Sequence, residues 1–247
     1  MTVESIINQF ESISLSEMDN VKLLNRTDKK FMLTLQQLEN FLQQINKTYR
    51  VLEINGIRLN AYRSYYFDTP GFDLYKAHHN KKLNRLKIRF RSYLESGIHF
   101  LEIKLKTNKG RTIKKRMDVA TPVVISENEE KFIRQFYNLN KPLVNSLNID
   151  YHRITLVNKE FPERVTVDLN LTFIDEASSR SLKNIAIIEI KQDSLPNSTQ
   201  AEIALKSMRI KEGFISKYCL GMAFLKPVKQ NLFKTKIRKI VKTNSYV

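Results

Sequence analysis

In the stretch KIRFRSY (87–93), Lys87, Arg89 and Arg91 occupy every second position, and EIKLK (102–106) repeats the pattern with Glu102, Lys104 and Lys106. Alternate side chains of a β-strand share a face, so each stretch has one charged face and one apolar face. The apolar sets are Leu86, Ile88 and Phe90, then Leu101, Ile103 and Leu105. Like charges side by side on neighbouring strands oppose pairing by roughly a few tenths of a kcal/mol each. Such rows become tolerable where a bound polyanion supplies the counter-charge. Arginine presents a planar fork suited to phosphate oxygens, and lysine a mobile point charge. Carboxylates in such a row would be self-defeating unless a hard divalent cation, Mg²⁺ or Mn²⁺, bridged them to phosphate. Glu102 and Glu189 are the candidate metal ligands on this ground.

The same alternation recurs along the chain. Arg26, Asp28 and Lys30 share a face of 25–33, Lys114, Arg116 and Asp118 a face of 111–119, and Arg164, Thr166, Asp168 and Asn170 a face of 164–173. Glu189 and Lys191 do so in 184–191, while Val165, Val167, Leu169, Leu171, Ile188 and Ile190 form opposite, apolar faces. A single strand of this kind is ordinarily the wet side of an antiparallel sheet. Six of them, rich in Arg and Lys, fit better if the charged faces point into a shared bore. The expectation is an α+β fold: a closed, antiparallel eight-stranded barrel, its cationic interior sized for one ligand and its apolar outside covered by helices.

The elements that must position these residues follow from periodicity and turn chemistry. Helices are expected at about 4–14, 35–46 with Thr34 as cap, 71–79, 127–138 opened by a Ser126/Glu129 capping box, a short one from Pro142, and 199–211 ending at Gly213. Further β segments are expected at 58–69, 85–94, 99–107 and 151–158, with turns at Glu95-Ser96-Gly97 and Asn108-Lys109-Gly110. Asp68-Thr69-Pro70 reads as a structural, strand-ending turn. His78-His79 reads as a polar helix end rather than a metal site, and Cys219 as buried.

Composition narrows the partner. The formal net charge of the 247 residues is +17 and the pI about 9.8, which calls for an anionic ligand or surface. Six glycines and no GxGxxG or P-loop motif exclude the usual Gly-rich phosphate cradle. No Ser-His-Asp or Cys-His arrangement is evident. One cysteine excludes an internal disulfide. Without a leader or a long apolar run, a cytoplasmic protein is expected, peripherally membrane-bound at most. The basic tail (226–247) could rest on an anionic membrane or a membrane-protein partner through Leu232, Phe233, Ile237 and Ile240, or pack on the fold. Phe90, Tyr93 and Phe100 accompany the basic residues, but Phe90 alternates away from them, and nucleic acid is disfavoured as a partner.

Nine pieces in order, RTDKK (26–30), SYYFDT (64–69), KIRFRSY (87–93), LEIKLK (101–106), KKR (114–116), YHR (151–153), RVTVD (164–168), IIEIK (187–191) and SKY (216–218), give the chain its resemblance to a family. It resembles the VTC domain, the polyphosphate-polymerase branch of the CYTH-like triphosphate tunnel metalloenzymes. The resemblance implies a single tunnel domain over 1–247, with the N-terminal helix and basic tail as appendages. It implies transfer of the ATP γ-phosphoryl group to a growing polyphosphate chain with Mn²⁺ or Mg²⁺. By position, Lys30, Arg89, Arg91, Lys104, Arg153 and Arg164 would be catalytic. Arg26, Lys115 or Arg116, Lys191, Ser216 and Lys217 would bind phosphate, and Glu189 would hold the metal. Hydrolytic and cyclase relatives open with Glu-x-Glu-x-Lys, where this chain has Arg26-Thr27-Asp28-Lys29-Lys30; the arginine removes a metal ligand. A triphosphatase on the same scaffold, or a polyphosphate sensor without turnover, is the alternative.

Overall fold

A computed structural model describes residues 1–18, 26–138, 140–193, 198–213 and 216–244, with the backbone alone at Arg26 and Asp193. In chain order its elements are α1 (Val3–Ile7), β1 (Glu11–Ile13), α2 (Leu15–Met18), β2 (Arg26–Thr34), α3 (Leu35–Ile45), β3 (Tyr49–Leu52), β4 (Asn60–Asp68) and α4 (Asp73–His79). There follow β5 (Arg85–Tyr93), β6 (Ile98–Lys106), β7 (Thr112–Asp118), α5 (Glu127–Arg134), β8 (Val144–Asn158), β9 (Glu163–Ile174), β10 (Ser179–Leu182) and β11 (Ile185–Asp193). The chain closes with α6 (Gln200–Ser207), α7 (Lys217–Leu225), a 3₁₀ turn (Asn231–Phe233) and α8 (Lys234–Asn244).

Eight strands hydrogen-bond in the order β2-β11-β9-β8-β4-β5-β6-β7, all antiparallel, and β1 pairs β3 in parallel at the side. Among the described residues no ladder joins β7 to β2. The sheet is therefore open rather than the closed barrel expected. It is curled all the same: Lys30 of β2, Lys104 of β6 and Thr112 of β7 line one cavity. The charged faces lie on the concave side and the apolar faces on the convex side, as the alternation requires. Ile154, Leu156, Val165, Val167, Ile188 and Ile190 pack on the convex side beneath α1, α3 and α6, and Ile88, Phe90, Leu101 and Ile103 pack with Ile133 of α5. Thr34 caps α3 and a Ser126/Glu129 capping box opens α5, as the sequence predicts, and Gln37 completes a box at Thr34 as well.

Several expectations are corrected. Residues 4–14 split into a short helix and a strand, because β1 gains a parallel partner in β3 that helical periodicity cannot register. No helix starts at Pro142; β8 begins there instead, at Val144. Leu171 does not share a face with Leu169. Asn170 has a positive φ of 54° at a register shift between β8 and β9, and this bulge turns Leu171 and Phe173 to the concave side. Asparagine tolerates that conformation better than most side chains.

The sequence reading missed α7, whose burial explains why. Tyr218, Cys219, Leu220, Met222 and Ala223 are all buried, so the helix is apolar all round and lacks a 3.6-residue stripe. It lies on the concave face against Tyr66, Leu147, Leu171, Phe173, Ile185 and Ile187. The buried Asp68 anchors it: the carboxylate accepts from the Thr69, Leu74 and Tyr75 backbone N–H groups at 2.7, 2.8 and 2.8 Å and from the Tyr218 hydroxyl. The turn at 68–70 is structural, as expected. A Cβ on Gly221 would stand 2.5 Å from Leu147 Cδ2 and 2.6 Å from Phe173 Cδ1. Gly221→Ala is therefore expected to destabilise by about 1–3 kcal/mol. An unchanged melting temperature would show that α7 sits farther from the sheet.

The tail packs rather than projects. Phe233 and Ile240 are buried with Ile237 beside them, while Leu232 stays exposed. Among the described residues no helix is long and apolar enough to cross a membrane.

Candidate functional site

Alternation on β5, β6 and β7 sends Lys87, Arg89, Arg91, Lys104 and Lys114 to the concave side, and β2, β8 and β11 add Lys30, Arg153 and Lys191. Lys217 joins them from the N-terminus of α7. These nine cations line a cavity of about 190 Å³ together with three carboxylates, Asp28, Glu102 and Glu189. The apolar half of the concave face lies under α7; the charged half stays open.

The cations differ in how they are held. Glu102 receives Arg89 through Nε at 2.7 Å and Nη2 at 2.5 Å, Lys114 at 3.0 Å and Arg91 at 3.8 Å. Arg89 Nη1 also donates to the Tyr66 hydroxyl at 2.8 Å. Arg153 grips Asp168 through two bonds of 2.6 and 2.9 Å, and Lys217 meets the same carboxylate. Lys30 lies 2.8 Å and Lys191 3.9 Å from Glu189. Lys87 donates to the Ser216 hydroxyl at 2.9 Å, and that hydroxyl also caps α7 by accepting from the Cys219 N–H. Among the described residues no carboxylate lies within ion-pairing distance of Lys104.

Burial alone would raise the Glu102, Glu189 and Asp168 carboxyls. The cations beside each override it and hold all three well below the usual carboxylate range. For the lysines burial dominates. It lowers Lys191 to about 8 against the opposing pull of Glu189, and lowers Lys87, Lys104 and Lys114 as well. His78 is pushed down to about 3 by burial and then by Lys87, so it is neutral near pH 7; its Nε2 meets the Leu86 carbonyl at 3.1 Å. It is a partly buried polar residue at a helix end, as read from the sequence.

A lysine whose folded pKa lies below its unfolded value binds fewer protons when folded. Stability of the ligand-free protein therefore rises with pH between about 8 and the ordinary lysine value of about 10.4. A bound polyanion reverses the shift. Triphosphate binding at pH 8 is expected to take up protons, read by calorimetry in two buffers of different ionisation enthalpy. Binding with no proton exchange would contradict this account of the lysines.

Of the residues singled out from sequence, the fold brings together Lys30, Arg89, Arg91, Lys104, Arg153, Lys191, Lys217, Ser216, Glu102 and Glu189. Arg164 pairs with Lys191 across β9 and β11, on the same face. Arg116 points to that face too, with its guanidinium 4.6 Å from the Phe100 ring centroid. Lys115 does not join them: it pairs with the core residue Ile103 and lies exposed on the other face. Strand parity decides between the two, which the KKR run left open. The Arg26 side chain lies outside the described ones. Lys87, Lys114 and Asp168 belong to the site although no role was assigned to them; alternation had already put each on a charged face.

The donor set decides how a divalent cation would fit. Glu102 is surrounded by three cations and fits poorly as a ligand. Glu189 is less crowded, with Lys30 and Lys191 as its ion-pair partners, and Asp28, opposite Lys191 on β2, lines the same cavity. Among the described residues no three His, Cys, Asp or Glu side chains form a metal cage. Two carboxylates suit a hard cation that takes its other oxygens from phosphate.

Solved structures with a similar fold include a protein from Hippeastrum described as an adenylyl cyclase candidate with a dominant triphosphatase activity (12% identity, 83% of this chain and 98% of that one, TM-score 0.48). Others are an adenylate cyclase candidate from Bacillus halodurans (14%, 78% and 96%, 0.46) and the PH1819 protein of Pyrococcus horikoshii (13%, 80% and 98%, 0.44). No curated protein matches the chain. The VTC domain matches residues 25–226, which include all eight strands of the curled sheet and the whole of the buried helix α7; the chain belongs to the VTC domain family.

Proposed function

We propose that the cavity binds a nucleoside triphosphate and the end of an inorganic phosphate chain, and that the protein transfers the terminal phosphoryl group from the first to the second. The observation that carries this reading is the excess of nine cations over three carboxylates within one cavity, with Lys104 lacking a carboxylate partner among the described residues. A terminal phosphate oxygen of the chain attacks the γ-phosphorus, the bond to the β-phosphate oxygen breaks, and the nucleoside diphosphate leaves with that electron pair. The attacking oxygen is already ionised, so the step asks for charge neutralisation and alignment rather than a general base.

Arg89 and Arg153 are fixed in place by Glu102 and Asp168, so their remaining N–H groups are pre-aimed before substrate arrives. Lys87, Lys104 and Lys217 stand near the N-terminus of α7, whose backbone N–H groups also favour an anion. Glu189, with Asp28, would hold Mg²⁺ or Mn²⁺, and the ion would offset charge on the transferred group. The apolar side of α8 packs on the core, so only its basic side (Lys234, Arg238, Lys239, Lys242) faces outward, and contact with a membrane would be electrostatic.

Incubation with ATP and Mn²⁺, with products resolved by chain length, tests the reading. Polyphosphate longer than the triphosphate is expected. Free phosphate without chain growth would make the protein a triphosphatase, and binding without turnover a sensor. Glu189→Gln is expected to abolish turnover while triphosphate still binds within a few-fold of wild type. Full activity in that variant would remove the metal role.

A further inference from the structure

Immediately beyond Arg91 the concave face changes character. Phe100 pairs with Arg91 on one side and with Asp118 on the other. The Tyr93 ring stands 5.7 Å from the Phe100 ring, edge to face, and 4.8 Å from Tyr62. Tyr62 is stacked on Tyr151 at 5.3 Å and 11°. Tyr62 and Tyr151 are buried, but Phe100 and Tyr93 are only partly covered, and the Arg116 guanidinium that rests on Phe100 belongs to an exposed residue of the edge strand β7. At the opposite mouth the one ring among the described residues is the His78 imidazole, turned onto the Leu86 carbonyl, with no phenylalanine or tyrosine. Arg85, Lys106, Thr112 and Glu212 line it.

We infer that the Phe100 ring, with Arg116 over it, is a nucleobase subsite. It binds the base of a nucleoside triphosphate whose phosphates run inward past Arg91 and Arg89 toward Lys104. The inference rests on the reading that the cavity takes a triphosphate. A base is a flat π system that stacks on aromatic rings and on guanidinium planes, and such stacking is tolerant of base identity. An exposed arginine lying on a ring is a replaceable lid, and a rotamer change is enough to admit a base between the two. The alternation places Phe100 one residue pair beyond Glu102, so base and phosphates would occupy consecutive positions of one face. The asymmetry also gives the ligand a direction. The aromatic mouth receives the nucleoside, and the mouth with Arg85 and Lys106 suits a chain of phosphates alone.

The chain contains no tryptophan, so Phe100→Trp installs a single fluorescent reporter at the subsite. In this variant ATP is expected to quench the emission and inorganic triphosphate to leave it nearly unchanged. In Phe100→Ala the affinity for ATP is expected to fall roughly tenfold, with affinity for inorganic triphosphate unaltered. Retained triphosphate binding also shows that the variant is folded. ATP and triphosphate weakened equally, or neither weakened, would overturn the subsite while leaving the phosphate site standing. No binding of triphosphate to the wild-type protein would overturn both.

Discussion

Arg153→Met is expected to destabilise the protein by about 3–5 kcal/mol, because it leaves Asp168 ionised in a site where only 2% of that side chain is exposed. The two bonds from Arg153 are what make the carboxylate tolerable there, and Lys217 cannot replace both. The guanidinium also rests over Tyr62 at 5.1 Å and Tyr151 at 5.4 Å, so its loss loosens the aromatic end of the cavity. For a domain of this size the loss corresponds to a fall of roughly 10 °C in melting temperature. Asp168 contributes stability above its unfolded pKa that disappears as pH falls through the lower folded value, so the penalty should shrink toward acid pH. The double variant Arg153→Met/Asp168→Leu should recover most of the loss, since replacing both members of a buried pair with apolar groups is far less costly than orphaning one. Thermal melts of the three proteins at pH 7 and pH 4 check this. A melting temperature for Arg153→Met equal to that of wild type would show that the pair is not buried as described.

Lys104→Met should behave in the opposite way. Lys104 has no carboxylate partner among the described residues, and burial and then Lys87 and Lys30 depress its pKa. Removing it relieves repulsion, and the ligand-free protein should be no less stable than wild type. Binding of inorganic triphosphate should weaken roughly 10- to 100-fold, the value of one charge-assisted hydrogen bond to phosphate. Paired titrations and melts separate this from a structural role, for which affinity and stability would fall together. A variant that binds triphosphate as tightly as wild type would place the ligand elsewhere. Arg153 is thus expected to matter for the fold first, and Lys104 for the ligand alone.

The charged site was largely readable because β-strand parity is a local rule. Once 87–93 and 102–106 are strands, Lys87, Arg89, Arg91, Glu102 and Lys104 must share faces whatever the rest of the chain does. The same rule fails at Asn170, where one extra residue in β9 moves Leu171 and Phe173 to the other side; a bulge depends on the partner strand. Helices with polar and apolar sides, such as α3 and α5, announced themselves through spacing and caps. Helix α7 did not, since a helix buried on every side has no period to detect. Nor did the short strands β3 and β10, whose pairing comes from β1, β8 and β9 rather than from their own few residues.

Local alternation and composition were thus enough to establish an antiparallel sheet with one cationic face and to pick out most of the charged side chains that line its cavity. The fold alone decided which cations are neutralised and which remain available. Whether Glu102 faces a metal or three basic side chains depends on Arg89, Arg91 and Lys114 arriving from strands distant in sequence. Curvature is likewise a long-range matter. It takes the whole set of eight strands to bring Lys30 across from Lys104, and the hydrogen bonds that would close β2 on β7 are a property of that set and not of any one segment.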